Sequence, residues 1–230
     1  MSLRGKKVLI TAGPTRAPLD SVRYITNKGT GRLGSLIAEE ALARGAAITF
    51  LHGRPSLVPT VRGGMHDHLT LIAIDTVQDL IRTFREELPK GYDVVIHTMS
   101  VLDFEPAEIR PGKTGSEEPA WVVRLVPTPK AIGLVKDLAP RTFLVAFKLE
   151  VGRPREELVA AALDMLRKNR ADLVVANDQK EIEAGEHAGY FIDPSGEVFA
   201  VAEGKEAIAR TLLRVVEERL ETRQKGAQLG

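Results

Sequence analysis

Val8, Leu9 and Ile10 form an unbroken apolar run, the pattern of a strand buried on both faces. Further on, Leu33, Leu36, Ile37 and Ala41 recur at helical spacing. The two patterns keep alternating along the chain. Strand-like runs fall at 7–11, 47–52, 70–73, 93–98, 121–125, 143–147, 173–176, 189–192 and 197–201. Helix-like segments fall at 32–44, 76–88, 130–138, 155–169 and 204–223, the first followed by Gly45 as a C-terminal stop. Strands alternating with helices predict an α/β fold: a Rossmann-like, mostly parallel sheet with helices on both faces and right-handed crossovers. Two stretches break the alternation. Residues 103–127 are polar and rich in Pro, Gly and Glu, and 189–201 read as a hairpin turning at Pro194-Ser195-Gly196. Both are expected to form a small antiparallel flap beside the main sheet. The tail, 222–230, is expected to be frayed.

Composition narrows this picture. At 230 residues, 43% of them apolar, the chain reads as one domain, 1–230, with a sizeable core. A net charge of +1 gives it no global pull toward nucleic acid or membrane. With no cysteine there is no disulfide, thiol nucleophile or thiolate metal ligand. No apolar run approaches the roughly 20 residues of a membrane span. The N-terminus passes from a basic tip into a strand of about five residues, too short for a signal-peptide core. The expectation is a soluble, cytoplasmic protein with no nucleic-acid and no membrane partner.

The candidate chemistry begins where the first strand ends. A long polar loop, not one tight turn, leads to the first helix, and both its ends are glycine-rich. One end is Gly13-Pro14-Thr15; the other, Gly29-Thr30-Gly31, runs through Arg32-Leu33-Gly34 into the helix. Strand, glycine loop and helix N-terminus together make an anion site, because free N–H groups and the positive helix end face the ligand. A compact G-x-G-x-x-G is missing directly after the strand. Gly29-x-Gly31-x-x-Gly34 has that spacing but stands about 18 residues beyond the strand. Phosphate binding is therefore favoured, and an NAD(P)-dependent reductase of Rossmann type is the alternative. Tyr24 and Lys28 have the Y-x-x-x-K spacing of short-chain reductases, but in the first loop that match is coincidental. Asn27, between them, presents an amide that can donate to an acyl-phosphate oxygen and accept from an amine; the plainer reading is a loop-structuring Asn.

Other candidates lie at later strand ends, where open α/β sheets bind ligands. In 94–104, VVIHTMSVLDF, a buried strand runs into His97-Thr98-Met99 and then Asp103. His97 is a possible base or a packing residue; Asp103 is a possible acceptor for a sugar hydroxyl or base amine, or a turn residue. Lys113 stands in a Gly/Ser-rich segment from which it can reach a triphosphate. GKT appears there without the upstream glycine of a P-loop. Phe147 can stack on a base or pack in the core. Lys168 suits its helix C-terminus electrostatically. No H-E-x-x-H or His-rich cluster suggests a zinc site, and no G-x-S-x-G suggests a hydrolase.

Taken together, 10–34, 94–104, GKTGSEE (112–118), LVPTPKAI (125–132), AFKLEVG (146–152) and KNRADLVVANDQKEI (168–182) carry a resemblance. They resemble phosphopantothenate–cysteine ligase, also called phosphopantothenoylcysteine synthetase, from about residue 7 to about 201. Many bacteria fuse this domain behind a flavin-containing decarboxylase; this chain looks like the stand-alone form. The resemblance implies a two-step reaction of coenzyme A biosynthesis. The carboxylate of 4'-phosphopantothenate attacks the α-phosphate of CTP or ATP, and L-cysteine then displaces the nucleotide to form an amide. CTP is the preferred choice. Mg²⁺ is expected to arrive on the triphosphate, with no metal ligand from the protein.

The resemblance also implies site roles. Asn27 would grip the acyl intermediate and Lys113 the phosphates. Gly13, Pro14, Thr15, Gly29, Thr30 and Gly31 match the glycine-rich loops, and His97, Thr98, Met99 and Asp103 match nucleotide contacts. Thr128, Pro129, Lys130, Ala131, Ile132 and Phe147 match the base and ribose region, and Lys168 a phosphate-side lysine. Two departures stand out. Asp164 occupies a position one turn before Lys168 that is often basic, and the lid carries KTGS in place of a multi-lysine run. A homodimer joined through the flap, 103–127 and 189–201, is implied as well.

Overall fold

A computed structural model describes residues 3–61, 65–117 and 119–228. In chain order the first elements are β1 (Lys7–Ala12), β2 (Arg16–Pro18), β3 (Tyr24–Thr26), α1 (Arg32–Ala43), β4 (Ala47–Gly53), β5 (Leu69–Ile74), α2 (Val77–Glu87) and β6 (Val94–His97). There follow β7 (Phe104–Pro106), β8 (Leu125–Pro127), α3 (Gly133–Leu138), β9 (Phe143–Glu150) and α4 (Arg155–Asn169). The last are β10 (Leu173–Asp178), α5 (Gln179–Glu183), β11 (Ala188–Ile192), β12 (Val198–Glu203) and α6 (Lys205–Gln228).

Eight strands form one sheet in the order β12-β11-β10-β9-β6-β1-β4-β5. From β10 to β5 every neighbouring pair is parallel. Such strands must be apolar on both faces, and Val8 to Ala12 and all of β6 are buried. α1 and α6 cover one face. Ile37, Ala41, Leu212 and Val216 pack there on Ile10, Phe50 and Val145. The other face carries α2, α3 and α4, with Phe84, Val135, Ala162 and Leu166 over Leu9, Val95, Leu144 and Val174. Phe50, Phe84 and Phe191 are fully buried, and each such side chain stabilises the fold by about 1.5–3 kcal/mol.

β1 lies between β4 and β6, so the chain winds outward on one side through α1 and on the other through α2. The C-terminal tips of β1 and β6 thus form the crevice where open α/β sheets take ligands. α1 stops as expected: its cap residue Arg44 donates its N–H back into the last turn, and Gly45 follows at φ +84°.

Several expectations need correction. The hairpin at 189–201 is real, but it belongs to the main sheet and not to a flap: β11 pairs antiparallel with β10, and β12 with β11. A burial-driven hairpin takes whichever free edge accepts its register, and β10 is that edge. The flap is a smaller affair, β7 and β8 paired antiparallel, and most of the 121–125 run lies outside any strand. The first loop contains an unexpected hairpin, β2 with β3. The 130–138 helix begins at Gly133. The tail is helical through Gln228, since α6 continues past the predicted end; residues 229 and 230 lie outside the described residues. Among the described residues no helix is long and apolar enough to cross a membrane.

Candidate active site

The two glycine-rich loops meet at the β1/β6 crevice. Pro14 bridges Ser100 in parallel fashion; Ser100 donates its N–H to Gly13 O at 2.9 Å, and Thr15 N–H reaches Ser100 O at 3.3 Å. Gly13 has φ +75° and Gly31, the N-terminal cap of α1, φ +77°, a region that L side chains rarely adopt. Gly31 supplies no side-chain cap; Arg32 N–H reaches Thr30 Oγ1 at 3.4 Å, and the positive end of the helix dipole lies at this end of α1. At Gly34 close approach is what excludes a side chain: a methyl there would stand 2.5 Å from Ala12 Cβ and 2.7 Å from Thr98 Oγ1. The helix therefore sits directly on the strand tips. Ser56, after β4, fills the space between the loops, its Oγ 1.5 Å from where a methyl on Gly13 would be.

Asn27 joins the crevice from the short run after β3. Its Nδ2 donates to Ser100 O at 3.2 Å. A carbonyl can only accept, so the amide nitrogen must face it, and Oδ1 remains as the acceptor of the amide. Thr26 Oγ1 donates to Thr15 O at 2.9 Å, and Leu102 N–H donates to the buried Thr15 Oγ1 at 2.9 Å. These bonds tie the whole first loop to the segment after β6.

His97 is buried with Thr11 Oγ1 at 2.7 Å from Nδ1 and the Phe84 ring 5.8 Å away, centroid to centroid. Burial pushes its pKa down to about 4, so the ring is neutral near pH 7 and serves as a packing residue. Thr98 Oγ1 donates to Thr11 O at 2.7 Å, and Met99 is buried. Asp103 is exposed and pairs with Lys130; Thr128 N–H reaches Asp103 O at 2.9 Å, and Thr128 Oγ1 donates to Leu102 O. Ala131 and Ile132 bury their side chains under α3, which leaves only their backbone for a ligand, while Pro129 is exposed.

The structure separates two groups that the sequence reading joined. Phe147 is half-buried on the α1/α6 face, whereas Ala131 and Ile132 belong to the opposite face. A single ligand meets both only by passing over the strand tips. Lys148, next along β9, pairs with Glu150 at 2.9 Å; this bond and the nearby Arg153 hold the Glu150 carboxyl below its ordinary range. Lys168 is exposed in the last turn of α4. Asn169, its neighbour, lies near the start of α3, with Oδ1 3.9 Å from where a methyl on Gly133 would be.

Lys113 is exposed and makes no side-chain bond or ion pair among the described residues. Its segment is nonetheless held. Arg110 N–H donates to Leu19 O at 3.0 Å, Ser21 N–H to Gly112 O at 3.0 Å, and Thr114 N–H to Asp20 Oδ2 at 3.1 Å. Burial works against the charge of Asp20, but N–H donors from Thr114, Val22 and Arg23 outweigh it and hold the carboxyl at about 2. Sequence reasoning missed Asp20, Arg23, Ser56 and Ser100. Asp20-x-x-Arg23 at a turn was a visible signal; Ser56 had none, because only the fold brings it between the loops.

A family model described as the DNA/pantothenate metabolism flavoprotein C-terminal domain matches residues 3–220. Among curated proteins, the coenzyme A biosynthesis bifunctional protein CoaBC of Thermococcus kodakarensis is 41% identical over 187 residues, which are 81% of this chain and 44% of that protein. This chain therefore spans less than half the length of that relative. Among solved structures, the DNA/pantothenate metabolism flavoprotein from Streptococcus pneumoniae superposes with a TM-score of 0.84 at 32% identity, over 94% of this chain and 100% of that one. The C-terminal domain of a CoaBC protein superposes at 0.75 with 28% identity, over 95% and 97%.

Proposed function

Because the chain belongs to the DNA/pantothenate metabolism flavoprotein C-terminal domain family, we propose that it acts as a phosphopantothenate–cysteine ligase in the cytoplasm. The observation that carries this reading is Asn27, whose amide is held by Ser100 O at 3.2 Å where the two glycine-rich loops that lead into α1 come together. That arrangement puts anion-holding N–H groups and an amine-accepting amide oxygen in one crevice, which suits an acyl-phosphate intermediate and its aminolysis.

The chemistry runs in two displacements. A carboxylate oxygen of 4'-phosphopantothenate attacks the α-phosphorus of CTP, or of ATP as the second choice. The bond to the β-phosphate breaks and pyrophosphate leaves. The amine of L-cysteine then attacks the acyl carbon; the bond to the nucleotide breaks, a proton leaves the nitrogen, and the nucleoside monophosphate departs. Lys113 neutralises phosphate charge in the first displacement, and Asn27 orients the acyl group in the second. The glycine loops hold phosphoryl oxygens, with nucleotide contacts from the backbone at His97–Met99, from Asp103, and from 128–132. Phe147 and Lys168 extend the site. Magnesium carried by the triphosphate supplies further charge neutralisation.

A second copy of the chain is the expected partner. Phe104, Val122 and Leu125 on and beside the β7/β8 flap are 51%, 86% and 44% exposed, an apolar surface suited to a two-fold contact. The reductase alternative is set aside. The glycine triplet is divided from β1 by the β2/β3 hairpin, and the matching relatives are named for coenzyme A biosynthesis.

The test is incubation with 4'-phosphopantothenate, L-cysteine, Mg²⁺ and one triphosphate at a time, following pyrophosphate and the amide product by mass spectrometry. CTP is expected to support both. Asn27→Ala and Asn27→Asp are expected to release pyrophosphate once per site, while amide formation falls about a hundredfold or more. Normal amide formation by these variants contradicts the role of Asn27. No pyrophosphate with either nucleotide contradicts the ligase itself.

A further inference from the structure

We propose that Asp20 is a positioning residue for Lys113, a latch that fixes the 110–114 segment to the hairpin of the first loop. The inference rests on the ligase reading for its consequence and on geometry for its existence. Asp20 lies in the turn between β2 and β3, yet its side chain is fully buried. Oδ1 accepts the N–H groups of Val22 at 2.8 Å and Arg23 at 2.7 Å. Those bonds are what any turn-forming Asp makes. Oδ2 does something a turn does not require: it accepts Thr114 N–H at 3.1 Å, from 94 residues along the chain, and Arg23 Nη1 at 3.1 Å.

Arg23 completes the grip from the other side. Its Nη1 and Nη2 donate to Thr114 O at 3.3 and 3.2 Å, and its guanidinium lies 5.4 Å from the Trp121 ring centroid. Both backbone groups of Thr114 are thus held by the Asp20–Arg23 pair, and Gly112 O is held by Ser21 N–H. The residues on either side of Lys113 are anchored while its own side chain stays exposed. That geometry gives a lysine a defined origin and a free reach, which lowers the ordering cost of meeting a phosphate. The very low pKa of Asp20 agrees: the carboxylate stays charged, as a latch made of N–H donors needs.

Asp20→Asn separates the two halves of the arrangement. The amide oxygen can still accept from Val22 and Arg23, but the amide nitrogen is a donor and faces the Thr114 N–H, so only the latch fails. Trypsin reads the latch without any activity, because it cleaves after Lys113, whereas the Arg110–Pro111 bond resists it. Nicking after Lys113 is expected to run about tenfold faster in Asp20→Asn than in the unaltered chain, with both digested well below their own melting temperatures and with cleavage after Lys113 accelerated more than cleavage elsewhere in the chain. Pyrophosphate release is expected to fall about ten- to a hundredfold in Asp20→Asn. Lys113→Gln is expected to lower it too, and the double variant no further than the worse single one. Unchanged nicking overturns the latch, and losses that multiply in the double variant overturn the link to Lys113. If no variant and no unaltered chain turns over, the ligase reading falls while the nicking result still decides the latch.

Discussion

A buried histidine at the tip of β6 shows how one residue's surroundings become a property of the whole fold. Burial moves His97 down from its ordinary 6.5 to about 4. Between those values the unfolded chain holds a proton that the folded chain refuses, so folding stability drops as the pH falls through that window and is level above it. From pH 7.5 to pH 5 the expected loss from this group is roughly 2 kcal/mol. Urea unfolding at the two pH values checks it against His97→Gln, whose pH slope is expected to be shallower by that amount. Equal slopes would mean that the ring is not protected from water. In the sequence His97 could be read either as a base or as packing. Thr11 and Phe84, the neighbours that decide for packing, are 86 and 13 residues away and invisible to local pattern.

Elements follow local rules more closely than single residues do. α2 opens with a reciprocal cap: Thr76 Oγ1 accepts Asp79 N–H at 3.1 Å, and Asp79 Oδ2 accepts Thr76 N–H at 3.0 Å. Thr76→Ala is expected to lower stability by about 1 kcal/mol, with any pyrophosphate release unaffected, as chemical denaturation and a pyrophosphate assay would show. A loss several times larger would mean that the cap also props the β5 end of the sheet. Most strands and helices were legible because the apolar period records which faces are buried. The hairpin at 189–201 was legible as a hairpin, down to its turn, where Gly196 N–H returns to Asp193 O at 2.9 Å. Its address was not, since β11 finds β10 through ladder bonds that any strand can make. The β2/β3 hairpin was missed because strands of three residues carry no period.

For the whole molecule, the sheet order decides what meets what. Placing β1 beside β6 gathers Gly13, Asn27 and Ser100 into one crevice, while Phe147 on β9 lies on the opposite face of the sheet from Ala131 and Ile132. The exposed apolar flap then sets an expectation for assembly. Phe104→Glu with Val122→Glu is expected to convert a dimer to a monomer in light scattering, with the fold intact by circular dichroism. A dimer that survives both changes would place the interface elsewhere.

The amino-acid order alone settled the alternation of strand and helix, the two-faced burial of the sheet, the glycine-rich ends of the first loop and the family the chain belongs to. The first three depend on neighbours a few residues apart, where backbone geometry and side-chain period act directly, and the family on the order of several such short segments along the chain. Tertiary structure alone decided that Asn27 faces Ser100, that Ser56 lies between the glycine loops and that Asp20 holds Thr114. Each of these joins residues far apart in the chain. Such meetings arise only once hydrophobic burial has ordered the sheet, and nothing in a local pattern specifies that order.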